Sequence, residues 1–159
     1  MKKIVIVILL MLVGTVICFA QPKTKTFSKD GISFEYEKDW TVQSFGGLIV
    51  AVCKGNTFSI NKITNNSDEE IFEAYLQSTY KIKEEEVGSD YITKIIDRTL
   101  NGIETRSFDV KYSVKEYRRE FIFEKNGILI HISMKCNNER TIDSDFATFL
   151  RSFHFEPVW

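Results

Sequence analysis

The sequence is poor in the residues from which small active sites are usually built. It contains two histidines, His131 and His154, and neither belongs to a His-x-x-x-His pair. It has no Gly-x-Ser-x-Gly elbow, P-loop or dinucleotide-binding glycine pattern. His131 falls on the mixed face of a predicted strand, and His154 follows a predicted helix, whose dipole favours a cation there. We therefore predict no catalytic residue and no cofactor, and expect that the protein is not an enzyme.

Neither sign of charge is in excess. The chain has 21 basic and 22 acidic residues, a formal net charge of −1. Nucleic-acid-binding surfaces need a basic excess, so we predict no nucleic-acid partner. Of two acidic runs, Asp68–Glu70 and Glu84–Glu86, the second lacks the alternating oxygen ligands and the glycine of a calcium loop. The first run is explained by helix capping, and we predict no metal site.

Cysteine is also scarce. Cys18 belongs to a segment that we expect to be removed, which leaves Cys53 and Cys136, each at the end of a predicted strand. There is no Cys-x-x-Cys motif, and two cysteines without suitably spaced histidines do not form a zinc site. The sequence is compatible with a structural disulfide between Cys53 and Cys136 and equally with two buried thiols.

The one long hydrophobic run lies at the N-terminus. It covers Ile4–Ile17, follows Lys2 and Lys3, and precedes Cys18-Phe19-Ala20, a pattern typical of a secretory signal peptide cleaved after Ala20. An uncleaved membrane anchor is the alternative. Lipid attachment at Cys18 is disfavoured because Ile17 is bulky. We assign residues 1–20 to the signal peptide, 21–26 to a flexible lead and 27–159 to a single domain, and expect export to the periplasm or the extracellular space.

Two Asn-Gly pairs organise the second half of the chain. Asn101-Gly102 and Asn126-Gly127 are each flanked by alternating apolar and polar residues, which is the strongest short-range signal for a β-hairpin. A two-residue turn also sets the register. The second hairpin should pair Phe121 with Ile132, Phe123 with Ile130, Ile122 with His131 and Glu120 with Ser133. The first should pair Ile95 with Phe108, Thr93 with Val110 and Lys94 with Asp109. Together they predict a four-stranded antiparallel meander.

Further strands and two helices surround the meander. Alternation or continuous apolarity predicts strands over Ile32–Tyr36, Leu48–Val52 and Thr57–Ile63. Ser67 with Glu70 forms a capping box that begins a helix. The helix is predicted to end near Lys83, where the acidic run Lys83–Gly88 begins. Its apolar stripe comprises Ile71, Phe72, Tyr75, Leu76, Thr79 and Ile82. A second helix, capped by Thr141 or Asp143, carries Phe146, Phe149, Leu150 and Phe153. The predicted class is α+β, an antiparallel sheet flanked by two helices.

Basic residues are predicted on the outward face of the meander. This candidate binding face comprises Lys111, Lys115, Arg118, His131 and Lys135. Such a face could bind an acidic partner. A charged, solvated sheet face that binds nothing is the alternative interpretation.

The order of elements resembles the PsbP-like fold. The resemblance rests on the opening Gly31-Ile32-Ser33-Phe34-Glu35-Tyr36 followed by Trp40, on Asn101-Gly102 before the strand Arg106–Tyr112, on the hairpin through Asn126-Gly127, and on the closing Ser152-Phe153-His154-Phe155. This fold is shared by the extrinsic photosystem II subunit, a Ran-binding nuclear transport factor and bacterial envelope proteins of the DcrB type. The resemblance implies an α-β-α sandwich and a non-catalytic role. It transfers no site residue, because no site motif is shared.

Three functions are compatible with these residues. The first is a secreted or periplasmic, non-catalytic binding or accessory domain that acts through the exposed face or an edge strand of its sheet, with another envelope protein as partner. The second is a small hydrolase or metal-dependent enzyme that uses His131. The third is an inhibitor-type or immunity-type protein-binding domain. The predicted contact with the membrane is through the cleaved signal peptide alone.

Overall fold

The computed structural model describes residues 23–156, so the predicted signal peptide lies outside the described part. Ten strands, three α-helices and two 3-10 turns are assigned within it. The strands are β1 Thr24–Lys29, β2 Ile32–Glu37, β3 Thr41–Phe45, β4 Leu48–Cys53, β5 Asn56–Thr64, β6 Ile96–Leu100, β7 Ile103–Ser113, β8 Glu116–Lys125, β9 Ile128–Cys136 and β10 His154–Phe155. The helices are α1 Glu69–Val87, α2 Ile142–Asp145 and α3 Ala147–Ser152, and the 3-10 turns are Ser89–Tyr91 and Glu139–Thr141.

The predicted meander is confirmed. It forms four strands, β6 to β9, of a seven-stranded antiparallel sheet of order β3-β4-β5-β9-β8-β7-β6. Asn101 and Asn126 begin the two hairpin turns with positive φ angles of 46° and 55°, which Asn tolerates better than most residues. The register of the second hairpin is as predicted, with Phe123 opposite Ile130 and Glu120 opposite Ser133.

The register of the first hairpin is correct only next to its turn. The predicted alignment holds from Leu100 back to Ile96, after which the chain leaves the ladder. Ile92 rather than Thr93 then pairs with Val110. Thr93 instead exchanges hydrogen bonds of 2.9 Å with the backbone of Asp109 through its own N–H and its hydroxyl. This one-residue slip turns Ile92 inward, so the predicted Lys94–Asp109 pair is wrong.

A second, three-stranded sheet has the order β1-β2-β10. Strand β1 begins at Thr24, inside the segment predicted as a flexible lead, so the prediction for residues 24–26 is wrong. Its Phe27 stacks on Phe34 of β2 with ring centroids 5.0 Å apart, and that packing gives the segment a reason to be ordered. β10 places Phe155 opposite Ile32 on the other side of β2.

Each face of the large sheet carries its own apolar core. On one face, Leu76 of α1 packs with Phe108, Ile122 and Leu129. The opposite face carries the larger core, which the three-stranded sheet and α2–α3 close. Its fully buried aromatic members include Phe34, Phe58, Phe123, Phe146, Phe153 and Phe155.

Both predicted helices form, with corrected boundaries. The N-cap of α1 is Asp68 and not Ser67, because the Asp68 carboxylate accepts a 2.9 Å hydrogen bond from Ile71 N–H. The helix continues through the acidic run to Val87 instead of ending near Lys83. The C-terminal helix is broken at Phe146 into α2 and α3, yet its predicted aromatic stripe is buried.

None of the helices within residues 23–156 combines the length and the apolar character needed to cross a lipid bilayer.

Candidate functional site

The predicted basic face does not form as one surface. Residues directly opposite each other share a sheet face, and Lys111 lies opposite Tyr117, which belongs to the larger core side. Arg118 lies opposite Lys135 and shares the α1 side with His131. Lys115 is in the turn between β7 and β8. The prediction therefore fails for Lys111, because the bulge near the end of β7 changes the alternation there.

The two basic residues that do lie side by side are neutralised locally. Arg118 donates two hydrogen bonds, of 2.7 and 3.0 Å, to one oxygen of Glu116, and Lys135 Nζ lies 3.4 Å from the other oxygen. The Arg118 guanidinium also stacks on the Tyr112 ring at 4.6 Å. The Arg118 hydrogen bonds hold the pKa of Glu116 below its ordinary value, so this carboxylate stays charged. This pattern does not favour an acidic ligand.

His131 is the centre of a polar chain beneath α1. Its Nε2 lies 2.9 Å from Glu120 Oε2, and its Nδ1 lies 2.9 Å from Tyr75 Oη. Glu120 is only 1% exposed, so His131 supplies the hydrogen-bonding partner that a buried carboxylate needs. Burial raises the pKa of the Tyr75 phenol, which keeps it a hydrogen-bond donor. Both ring nitrogens of His131 are therefore occupied, which is the arrangement of a structural histidine.

A second polar cluster lies on the opposite face of the sheet. Asp109 accepts a bidentate pair of hydrogen bonds from Arg119, at 2.7 and 3.2 Å, and a third from Arg98 at 3.2 Å. Arg119 also donates to Asp143 of α2. Burial and the hydrogen bond to Asp109 raise the pKa of the Tyr117 phenol well above its ordinary value. The cluster ties α2 to the sheet and is explained by that structural role.

Cys53 and Cys136 are both free thiols. Cys53 pairs with Asn56 of β5. On the other side of β5, Lys135 lies opposite Thr57, so the next residue, Cys136, comes level with Asn56. Two strand spacings separate them by about 9 to 10 Å, which exceeds the ~7 Å limit between the Cα atoms of a disulfide. Of the two alternatives, the structure has the unbridged thiols.

Part of the α1 side of the sheet lies beyond the helix and exposes apolar side chains. In β3 and β4, Phe45 is 63% exposed and Val52 is 44% exposed. The register puts Phe45 opposite Leu48 and Gln43 opposite Val50, so all these residues face the same way. We call Phe45, Leu48, Val50 and Val52 the open strip.

A cavity lies at the other end of the sheet, where two hairpins separate. The ladder between β7 and β8 ends at Arg106 opposite Ile122, although β7 begins at Ile103 and β8 continues to Lys125. The resulting cleft has a volume of about 830 Å³. It is lined by Glu69, Phe72, Asp97, Arg98, Thr99, Glu104, Thr105, Arg106, Ile122, Phe123 and Glu124. We call it the hairpin cleft.

Comparison with known proteins identifies the architecture. No family model and no curated protein matches the chain. Among solved structures, the cyanobacterial PsbP of Synechocystis matches with a TM-score of 0.60 and 16% identity, over 91% of this chain and 99% of that one. The fold is PsbP-like.

Two further solved structures match at lower sequence identity. The Ran-binding protein Mog1p of Saccharomyces cerevisiae has a TM-score of 0.52 and 8% identity, over 84% of this chain and 96% of its own. A protein of Bacteroides thetaiotaomicron has a TM-score of 0.59 and 11% identity over 84% of this chain. The present chain spans 49% of that protein's length. At these identities the matches show the fold alone.

Sequence reasoning missed Glu120 and Tyr75 as partners of His131, although a signal for both was present. The predicted register already placed Glu120 diagonally from His131, and Tyr75 was in the predicted stripe of α1. The hairpin cleft left no such signal, because the point at which two paired strands separate is not encoded in their alternation.

Proposed function

We propose that the protein is a non-catalytic binding or accessory domain of the bacterial cell envelope, of the DcrB type, which is exported and holds a protein partner on its open strip. The observation that carries this proposal is the exposure of Phe45 and Val52 on one face at the edge of the sheet. Exposed apolar residues that cluster in this way are typical of interaction sites, whereas single ones are common on any surface.

Strand β3, at that edge, suits strand addition by a partner. Its sequence Thr41-Val42-Gln43-Ser44-Phe45 has no charge and no proline, and its pairing with β4 has no bulge. Edge strands usually carry charges, prolines or bulges, which prevent pairing with other chains. The opposite edge, β6, has Asp97 and Arg98. A partner strand on β3 would extend the sheet and cover Phe45.

The enzymatic alternative has one candidate residue, His131. Its side chain is 15% exposed and both of its ring nitrogens are engaged, so a reacting group would first have to displace Tyr75 or Glu120. Turnover of a substrate that is abolished by His131→Ala, in a variant that still folds, would favour this alternative over the binding role. An inhibitor-type or immunity-type domain is a special case of protein binding.

The proposal is tested by photo-crosslinking in the native envelope. A photoreactive amino acid placed at Val52 should give a discrete adduct with one protein, and Phe45→Lys should reduce its yield by about tenfold, because a charge would then be buried in the interface. The matched control is Val114, which is 91% exposed in the turn between β7 and β8 and should give no such adduct. Equal labelling from both positions, or none from Val52, would contradict the proposal. An adduct with a second copy of the chain would show that the open strip mediates self-association and does not bind a different protein.

A further inference from the structure

The hairpin cleft exposes strand edges from both of its sides. Residues Ile103–Thr105 of β7 and Phe123–Lys125 of β8 continue as strands beyond the last paired position, Arg106 opposite Ile122. Their mutually facing backbone groups have no ladder partner across the gap. Unpaired strand edges are the groups that an extended peptide engages when it adds to a sheet. The volume of about 830 Å³ is within the range of ordinary ligand sites.

The side chains of the cleft carry an excess of negative charge. Four carboxylates line it against two guanidinium groups, and one of these, Arg98, is already paired with Asp109 outside the cleft. Arg106 lies between Glu73 and Asp97. Within residues 23–156, Glu69 and Glu104 have no ion-pair partner. A cationic group would find two uncompensated carboxylates in the lining, which also contains the apolar residues Phe72, Ile122 and Phe123.

The cleft also lacks hydrogen-bond acceptors at two buried donors. The Nε atoms of Arg98 and Arg106 are inaccessible to solvent and make no hydrogen bond. Arg106 Nε lies 3.2 Å from Asp97 Oδ1 but is out of line with it. A buried donor without an acceptor is energetically unfavourable. Both atoms are closed to solvent, so a ligand in the cleft meets the open strand edges and not these two donors.

We propose that the hairpin cleft binds an extended segment of a partner polypeptide that carries a lysine or arginine. The peptide backbone pairs with the free edges of β7 and β8, and the basic side chain lies between Glu69 and Glu104. A small polyamine meets the carboxylates but cannot pair with the strands, and an acidic peptide is repelled by the same carboxylates. The site is distinct from the open strip, since the two are formed by opposite ends of the seven-stranded sheet.

The test measures binding of capped peptides by fluorescence anisotropy at low ionic strength. A peptide of alternating lysine and valine should bind, whereas one of alternating glutamate and valine should not. Glu69→Gln with Glu104→Gln should weaken binding of the lysine peptide by about tenfold or more. The matched control, Asp90→Asn with Glu139→Gln, removes two exposed carboxylates elsewhere and should leave binding unchanged.

Two further measurements separate strand pairing from simple charge attraction. N-methylation of the peptide backbone should abolish binding, and the lysine peptide should shift the backbone amide resonances of residues 103–105 and 123–125. Spermidine should compete only weakly. The proposal is overturned if the lysine peptide does not bind, if the N-methylated peptide binds equally well, or if the control variant loses as much affinity as the cleft variant.

Discussion

At the scale of single residues, His131 shows how burial determines the role of a side chain. In the sequence it is one of two histidines and the obvious candidate for acid–base chemistry. In the structure it satisfies Glu120, a carboxylate with 1% exposure. The energetic consequence is asymmetric, because losing one partner of a buried polar pair costs more than losing both.

This asymmetry predicts the outcome of a double-mutant cycle. His131→Leu leaves Glu120 buried without its partner and should lower the free energy of unfolding by about 3 kcal/mol or more. Adding Glu120→Leu should restore much of that loss, since no unpaired carboxylate remains. Urea unfolding of the two single variants and the double variant measures the coupling. A double variant that is no more stable than His131→Leu would show that Glu120 is satisfied by other means.

At the scale of elements, the outcome of each prediction depended on whether local rules were sufficient. The Asn126-Gly127 hairpin was predicted residue by residue, because a two-residue turn and its alternating flanks are local. The Asn101-Gly102 hairpin was predicted only as far as Ile96. Beyond that point, Thr93 and Asp109 bond through backbone and side chain, and no rule of alternation contains that preference.

Strand β1 and the separate small sheet were missed for the same reason. Segment Thr24–Lys29 is polar, and its order depends on Phe27 stacking against Phe34 and on pairing with β2. The closing strand β10 pairs with a segment more than a hundred residues earlier in the chain. Such long-range pairings are set by the tertiary structure, and the sequence pattern predicts only that the residues are compatible with them.

The start of α1 gives a prediction at this scale. Asp68→Ala should lower the free energy of unfolding by about 1 kcal/mol, because it removes the oxygen that caps Ile71 N–H. Ser67→Ala is the matched control and should have a much smaller effect, since the backbone N–H of Ser67 keeps its own hydrogen bond. Chemical denaturation of both variants compares them. If Ser67→Ala lowered the free energy of unfolding more than Asp68→Ala, Ser67 would be the N-cap, as the sequence predicted.

At the scale of the whole molecule, the groups that titrate at alkaline pH are spread over both faces of the sheet. Burial raises the pKa values of the Cys53 and Cys136 thiols and of the Tyr75 and Tyr117 phenols. The folded state therefore holds these protons more tightly than the unfolded chain. Stability from this source is fully present below the ordinary pKa values and is lost as the pH rises through the raised ones.

We accordingly expect the free energy of unfolding to fall as the pH rises above about 9, where unfolded cysteines and then tyrosines begin to ionise. Urea midpoints measured between neutral and alkaline pH test this slope. Tyr117→Phe should make the fall in the urea midpoint less steep at the upper end of this pH range. Tyr91→Phe, at a 55% exposed position, should leave the fall unchanged. Midpoints that are constant or that rise with pH would contradict the expectation.

The tip of the second hairpin also acts as an anchor for another part of the molecule. The carbonyl of Gly127 accepts a 2.6 Å hydrogen bond from Ser67 N–H, one residue before the cap of α1, and the Glu124 side chain holds Gly127 N–H from the other side. The same tip belongs to the β8–β9 arm that bounds the hairpin cleft. Because this bond ties the β8–β9 arm to the start of α1, that arm cannot move away from the β6–β7 hairpin without tilting the helix or breaking the bond.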